Sequence, residues 1–370
     1  MKQFRISPKI VMCETAREFC EAFKPDANDL VFMGRSSARA FEGLLNGTHV
    51  IYRSDYGTGE PTDVMVERIR DDVKDIPYKR VIAIGGGTIV DAAKLLALKE
   101  YHPVLDLFDK KIPAVRDKGL VIVPTTCGTG SEVTNISILE LTARATKLGL
   151  ADDALFADSA VLIPELLEGL PYEVFATSSI DALVHATESY LSPKATPFSR
   201  DCSLKAVSMI LEGYLAIRDS GATARFPYME RFLLASTYAG LAFGNAGTGA
   251  VHAMSYSFGA KYHVPHGEAN YALFSGVFKT YQKIAPDGDI ESLNRVIASY
   301  LKCDIADTWN ALESLLGTIL PLKPLRAYGV TESDLAAFTE NTMTKQGRLT
   351  ANNYRPLSTE QVLTIYRSAY

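Results

Sequence analysis

Residues 80–100 read RVIAIGGGTIVDAAKLLALKE, and this stretch decides the fold. The uninterrupted apolar run 81–84 reads as a strand buried on both faces, and TIVDAAKLLALKE reads as a helix directly after three glycines. Working outward, the same alternation recurs. DLVFMG (29–34) reads as a strand, SSARAFEGLLNG (36–47) as a helix and HVIYRSD (49–55) as a strand. TDVMVERIRDDVKDI (62–76) reads as a helix with Val64, Val66, Ile69, Val73 and Ile76 as its apolar positions, and GLVIVPTT (119–126) as another strand. Strand–helix units with near-continuous Val/Ile strands predict a parallel sheet covered on both faces. Near Leu170 the alternation stops and helical patterning takes over. The expected organisation is an α/β domain over residues 1–170 and an all-α domain over residues 171–370, in keeping with a length of 370 residues.

Composition bounds the function. Apolar content of 47% with 22% charged residues is ordinary for a globular protein with a sizeable core. The balance of 38 basic against 43 acidic residues argues against a dedicated nucleic-acid surface. No apolar run reaches the length of a membrane span, and the start lacks the apolar centre of a signal peptide. Cys13, Cys20, Cys127, Cys202 and Cys303 are odd in number and scattered, so no disulfide framework is expected, and a cytoplasmic location with reduced thiols is.

Ligands bind parallel sheets at the carboxyl ends of the strands. Gly85, Gly86 and Gly87 lie at such an end, where backbone can approach an anion closely and a helix N-terminus supplies free N–H groups. A tight strand-to-helix turn explains the same residues equally well. The next strand ends in PTTCGTGSEVTN (124–135), where Thr125, Thr126, Thr129 and Ser131 offer hydroxyls and Gly128 and Gly130 offer backbone freedom. Two such loops at neighbouring strand ends suit one long ligand with phosphates and an amide ring. Thr88 and Asp91 in the first turns of the helix, and Gly34 at the end of an earlier strand, join the candidate contacts. Lys147 is either a phosphate or ribose contact or a solvated lysine. Cys127 has no histidine near in sequence, so a small buried thiol is the simpler reading.

The other chemistry lies further on. Asp181 and His185 are four apart in SSIDALVHATESYLSP (178–193), so on a helix they share a face. Ser178 or Ser179 is the expected cap and Pro193 the stop, which would put Asp181 in the first turn. His252 and His266 lie in AVHAMSYSFGAKYHVPHGEAN (250–270), and four of the six histidines (His185, His252, His263, His266) fall between residues 185 and 266. One carboxylate and three neutral imidazoles form a plausible ligand set for a divalent transition metal, leaving net positive charge. Glu188, one turn beyond His185, either orients a ligand imidazole or faces solvent.

GGGTIVDAAK, PTTCGTGSEVTN, D-x-x-x-H and H-x13-H, in this order and spacing, resemble the iron-containing (group III) alcohol dehydrogenase family, most clearly over residues 29–281. The resemblance implies a dinucleotide-binding α/β domain and a helical domain in the dehydroquinate synthase-like arrangement, NAD as coenzyme, and Fe2+ held by Asp181, His185, His252 and His266. It further implies hydride transfer between a small-molecule primary alcohol and its aldehyde, with 4-hydroxybutyrate and succinate semialdehyde as the pair. A homodimer or larger homo-oligomer is expected, with no nucleic-acid or membrane partner. On donor chemistry alone, zinc is favoured over ferrous iron.

Two departures from the family pattern stand out. The family often reads H-x-x-x-H at the third ligand, and here the second position is Tyr256; Tyr256, Tyr262 or His263 are the candidates for the proton role. The first strand often ends in an acid that reads the ribose, and here it ends in Gly34-Arg35-Ser36, which leaves NADP open beside NAD. A carboxylate-bearing substrate needs a cationic or multiply donating anchor. The candidates are Lys261, Tyr262 and His263 in one loop, and Arg348 with Asn352 and Asn353 in another, arginine's planar fork being the best match. Three alternatives stay open: a general short-chain alcohol or diol dehydrogenase, a dehydroquinate synthase-like lyase, and a non-catalytic dinucleotide or metal sensor.

Overall fold

The computed structural model describes residues 2–144 and 146–370. They form two compact units, Ile6–Leu170 and Pro171–Tyr370, the second including the N-terminal residues as far as Arg5. The strands of the first unit are β1 (Lys9–Met12), β2 (Asp29–Met33), β3 (His49–Tyr52), β4 (Arg80–Gly85), β5 (Gly119–Pro124), β6 (Ile136–Leu141), β7 (Thr146–Ala151) and β8 (Ser159–Leu162). Six of them form one sheet in the order β1-β8-β5-β4-β2-β3, every pair parallel. β6 and β7 form a separate antiparallel pair. The helices are α1 (Ala16–Phe23), α2 (Asp63–Val73), α3 (Gly87–Leu96), α4 (Val104–Phe108) and α5 (Glu165–Glu168).

Period-two alternation divides the strands between two cores. Leu30, Phe32, Val81, Ala83, Leu120 and Ile122 pack with α2, α3 and α4. Val31, Met33, Ile82, Ile84, Val121 and Val123 pack on the opposite face with Phe19 of α1 and Phe41. The chain steps outward from β2 to β3 but in the other direction from β4 to β5, so the order reverses between β2 and β4. Crevices at such reversals, outside the carboxyl ends, take ligands.

Some local expectations change. Residues 36–47 do not make an α-helix: a 3₁₀ segment, Arg35–Phe41, ends in turns where Gly43 and Gly47 adopt φ of 73° and 86°, conformations that break a helix. In α2 the buried face is Met65, Val66, Ile69 and Val73, while Val64 points to solvent. β1, β8 and the β6–β7 pair fall outside the strands expected above.

The second unit comprises α6 (Tyr172–Leu191), α7 (Pro197–Ser220), α8 (Met229–Ala246), α9 (Ala250–Tyr262), α10 (His266–Ile284), α11 (Asp289–Leu301), α12 (Thr308–Ile319), α13 (Glu332–Lys345), α14 (Gly347–Thr350) and α15 (Thr359–Ala369). Among the described residues, no helix is long and apolar enough to cross a membrane. α6 begins at Tyr172, after Pro171 as its cap position, rather than at the serines, because YEVFAT continues the helical pattern upstream. The Ser178 and Ser179 hydroxyls donate back to the Phe175 and Ala176 carbonyls, each at 3.2 Å, and do not cap. Asp181 is therefore mid-helix, with buried neighbours on either side.

α10 approaches α6 closely at Gly267, where a Cβ would lie 2.3 Å from the Thr177 carbonyl oxygen and 3.2 Å from the Asp181 Cβ. The obstacle is backbone, so neither a rotamer change nor a small shift relieves it. Gly267→Ala should therefore destabilise the protein by about 1–3 kcal/mol, read as a fall of several degrees in Tm. An unchanged Tm would mean that the two helices separate without cost.

Candidate metal centre and phosphate-binding loops

Asp181 and His185 project from α6 one turn apart, with His185 Nδ1 3.9 Å from Asp181 Oδ2. His252 lies in the first turn of α9, and His266 is the first residue of α10. The four side chains each bring one ligand atom to within 4.8 Å of the others, and three of the four are buried. His185 lies between two rings, stacked on Phe243 at 4.3 Å and on His252 at 4.7 Å between centroids, which fixes its plane.

Glu188 does not face solvent. Its carboxylate is buried, accepting from His252 Nδ1 at 2.6 Å and from the Val251 backbone N–H at 2.6 Å. With the proton on Nδ1, the lone pair of His252 is on Nε2, turned toward Asp181 and His266. Neither buried carboxylate, Asp181 or Glu188, has a lysine or arginine partner among the described residues. Burial alone would push the Asp181 carboxyl up, but His185, His266, His252 and the Asn270 amide together hold it below its ordinary value. The donor set therefore fits a divalent cation. Counting Glu188, such an ion makes the group formally neutral rather than net positive.

The proposed proton and anchor residues divide. Tyr256 is buried, its ring 6.0 Å from that of His266, and packs with Ala253 and Leu349. His263 is exposed and closes α9 in a left-handed conformation, with φ of 52°. Lys261 and Tyr262 do not wait for a substrate. Both are bound to Asp334 at the start of α13, the tyrosine hydroxyl donating at 2.6 Å. Asn352 is also engaged, its amide donating to the Thr248 carbonyl at 2.9 Å, while its Oδ1 and that of Asn353 are buried acceptors without a donor. Arg348 is exposed on α14 with no ion pair among the described residues, beside the Leu349 that touches Tyr256.

In the first unit, register aligns the loops. Gly85 of β4 pairs with Pro124 of β5, and Ile84 pairs with Met33, so the glycines, residues 125–131 and Gly34 follow from adjacent strand ends. None of Gly85, Gly86 and Gly87 has a positive φ. Space is the reason for them: a Cβ would lie 2.3 Å from Ile89, 3.1 Å from Thr126 and 2.9 Å from Thr129, respectively. Thr126 and Thr129, partly exposed, thus flank the opening of α3 together with Thr88. Arg35 stacks over Tyr52 at 4.2 Å and pairs with Asp55 at 2.8 Å, so its charge already has a partner.

Asp91 and Ser131, expected at the ligand, turn inward. Ser131 donates to Asp91 Oδ1 at 2.7 Å, and the other carboxylate oxygen accepts from the Ile138 N–H at 3.0 Å. Lys94 completes this brace, fully buried, donating to Ser131 Oγ at 2.6 Å, to Thr134 Oγ1 at 3.2 Å and to the Ile136 carbonyl at 2.5 Å. Lys147 is not solvated either, since its side chain is largely covered and pairs with Glu60 at 2.5 Å. Lys94 and Asn270 are not among the residues singled out from the sequence. Both had a signal: Lys94 lies one turn from Asp91 in an otherwise apolar helix, and Asn270 lies one turn from His266 in the interior of another, where asparagine is a poor helix former.

The sequence profile described as "Iron-containing alcohol dehydrogenase" matches residues 8–164, and that described as "Fe-containing alcohol dehydrogenase family, C-terminal" matches residues 175–370. The chain belongs to the iron-containing alcohol dehydrogenase family. It is 46% identical to a 4-hydroxybutyrate dehydrogenase from Clostridium kluyveri over 371 aligned positions, covering 100% of both chains. In structure, this family member resembles a 1,3-propanediol oxidoreductase with a TM-score of 0.85 and 22% identity, covering 100% of both chains. It also resembles a sulfoacetaldehyde reductase from Bifidobacterium kashiwanohense, solved in complex with NAD+, with a TM-score of 0.86, 21% identity and coverage of 100% of this chain and 98% of that one.

The brace makes this dehydrogenase's stability depend on pH. Burial, opposed by Asp91 and Glu132, brings the Lys94 ammonium down from 10.5 to about 8. Between these values the unfolded lysine holds a proton that the folded one lacks, so stability rises with pH through that window. In urea titrations the wild type should gain on the order of 2–3 kcal/mol between about pH 8 and 10 relative to Lys94→Met. Parallel curves for the two proteins would show that Lys94 does not titrate there.

Proposed function

We propose that the chain oxidises 4-hydroxybutyrate to succinate semialdehyde with NAD+, and runs the reverse reduction with NADH. The carrying observation is the convergence of Asp181, His185, His252 and His266, with Glu188 fixing the tautomer of His252. The full-length likeness to a 4-hydroxybutyrate dehydrogenase supplies the substrate.

In this reading Asp181, His185, His252 and His266 hold a divalent ion, iron by family and zinc by donor chemistry, which when bound polarises the substrate oxygen as a Lewis acid. The nicotinamide, when bound, carries the hydride. The chain's own residues supply geometry and selectivity. Glu188 keeps His252 Nε2 free of a proton, and the Phe243–His185–His252 stack restrains two ligand rings. Gly86, Gly87, Thr88, Thr126 and Thr129 hold the coenzyme diphosphate at the opening of α3. Arg35, neutralised by Asp55, offers no free cation to a 2′-phosphate, which favours NAD over NADP. Tyr256 takes the role at the substrate in preference to His263, because it is buried and packs beside His266. Arg348 anchors the far carboxylate, since Lys261 and Tyr262 are already bound to Asp334.

Two aldehydes of equal length test the reading: succinate semialdehyde, and butyraldehyde without the carboxylate. Wild type should prefer the acid. Arg348→Ala should lose roughly 2–4 kcal/mol in kcat/KM for the acid and little for butyraldehyde. Equal use of both by wild type would make this a general short-chain alcohol dehydrogenase. An acid preference untouched by Arg348→Ala would move the anchor to another cation.

A further inference from the structure

The ligand cluster contains a side chain that the metal reading does not use. Asn270 lies one turn along α10 from His266 and is fully buried. Its Nδ2 is 2.7 Å from Asp181 Oδ1, 3.1 Å from His252 Nε2 and 3.2 Å from His266 Nε2. Three of the four expected ligands thus aim at one amide nitrogen. That nitrogen must be the donor. The His252 proton is committed to Glu188 through Nδ1, so Nε2 offers only a lone pair, and the Asp181 carboxylate only accepts. A reversed amide would set its carbonyl oxygen against these acceptors. Ser255 secures the orientation from the other end, its hydroxyl donating to Asn270 Oδ1 at 2.5 Å.

We propose that Asn270 is a positioning residue for the metal centre. When no ion is bound, its two N–H groups, shared among Asp181, His252 and His266, hold the three close with their lone pairs converged. Ser255 keeps the amide turned to do so. Without this donor the buried carboxylate and imidazole lone pairs face one another unsatisfied, and the set relaxes by rotating rings or moving a proton onto Nε2. The ion would then have to reassemble its own ligands before binding. Partners of this kind commonly carry 10–100-fold of metal affinity. The inference rests on the metal-centre reading above.

The test uses full-length protein stripped of metal by chelator, in mildly alkaline buffer so that the imidazoles are neutral. Long-range 15N–1H spectra report the tautomer of each histidine, and chelator competition with Zn2+ gives the dissociation constant. Wild type should show His252 and His266 each as a single tautomer with Nε2 unprotonated. Asn270→Leu, similar in size but without the donor, should scramble the His266 tautomer and weaken Zn2+ binding about 10–100-fold. Ser255→Ala should shift both readouts in the same direction by less. Unchanged tautomers and affinity in Asn270→Leu would overturn the proposal, as would mixed His266 tautomers in ion-free wild type, a result that stands even if Asn270→Leu does not fold. If instead wild type binds Zn2+ no better than His266→Ala, the metal-centre reading itself fails.

Discussion

The hydrogen bond from His252 Nδ1 to Glu188 is the interaction on which the helical unit's chemistry depends. Asp181, His185 and Glu188 follow one another at four and three residues along α6, so a single face of one helix presents carboxylate, imidazole and carboxylate. Burying two carboxylates without a lysine or arginine is costly unless hydrogen bonds or a cation offset the lost hydration. Glu188 is satisfied by an imidazole and a backbone N–H from the first turn of α9, and this also brings His252 into line. Asp181 is left facing His252, His266 and an amide. The same contacts that satisfy the helix therefore assemble the ligand set. Gly267 permits this, because α10 reaches α6 at a distance that any side chain would prevent.

The sheet unit solves a different problem. Its loops must leave backbone donors exposed at the strand ends while holding their own conformation. The glycines and threonines there fit into one another: a Cβ on Gly86 would press on Thr126, and one on Gly87 would clash with Thr129. The conformation is held from below by the Asp91–Ser131–Lys94 brace, which ties α3 to the loop after β5 and to β6. Residues that looked like ligand contacts because they are polar and near the glycines prove to be the support. A buried ammonium satisfied by two hydroxyls and a carbonyl carries its charge at some cost, which explains why it titrates low.

What could be read from the sequence follows from how far each interaction reaches along the chain. The pairing of Asp181 with His185 is set by helical spacing alone, and the parallel sheet by alternating apolar runs, so both were legible. The three-glycine turn was legible as a position, but its cause was space rather than positive φ, since the neighbours Thr126 and Thr129 arrive from another strand end. The start of α6 was misjudged because serine is a good cap and also tolerable within a helix when it bonds back to a carbonyl. Lys261 and Tyr262 were misjudged because their partner, Asp334, lies 73 and 72 residues further on. Asn270 showed only that an asparagine occupied a helix interior. The three acceptors it meets come from three different helices.

The departure at Tyr256 brings these levels together. A histidine at this position would add an imidazole that titrates near neutral pH next to a formally neutral ion site. A tyrosine adds a phenol whose ring can pack, and here it does so against Ala253 and Leu349. That packing fastens α14 to α9, the helix that carries His252, and Arg348 is the residue beside the packed leucine. A tyrosine here thus adds no further titrating imidazole and seats a short helix whose exposed arginine has no ion pair among the described residues. The tyrosine therefore acts through packing, joining α14 to the helix that carries His252, rather than through a charge of its own.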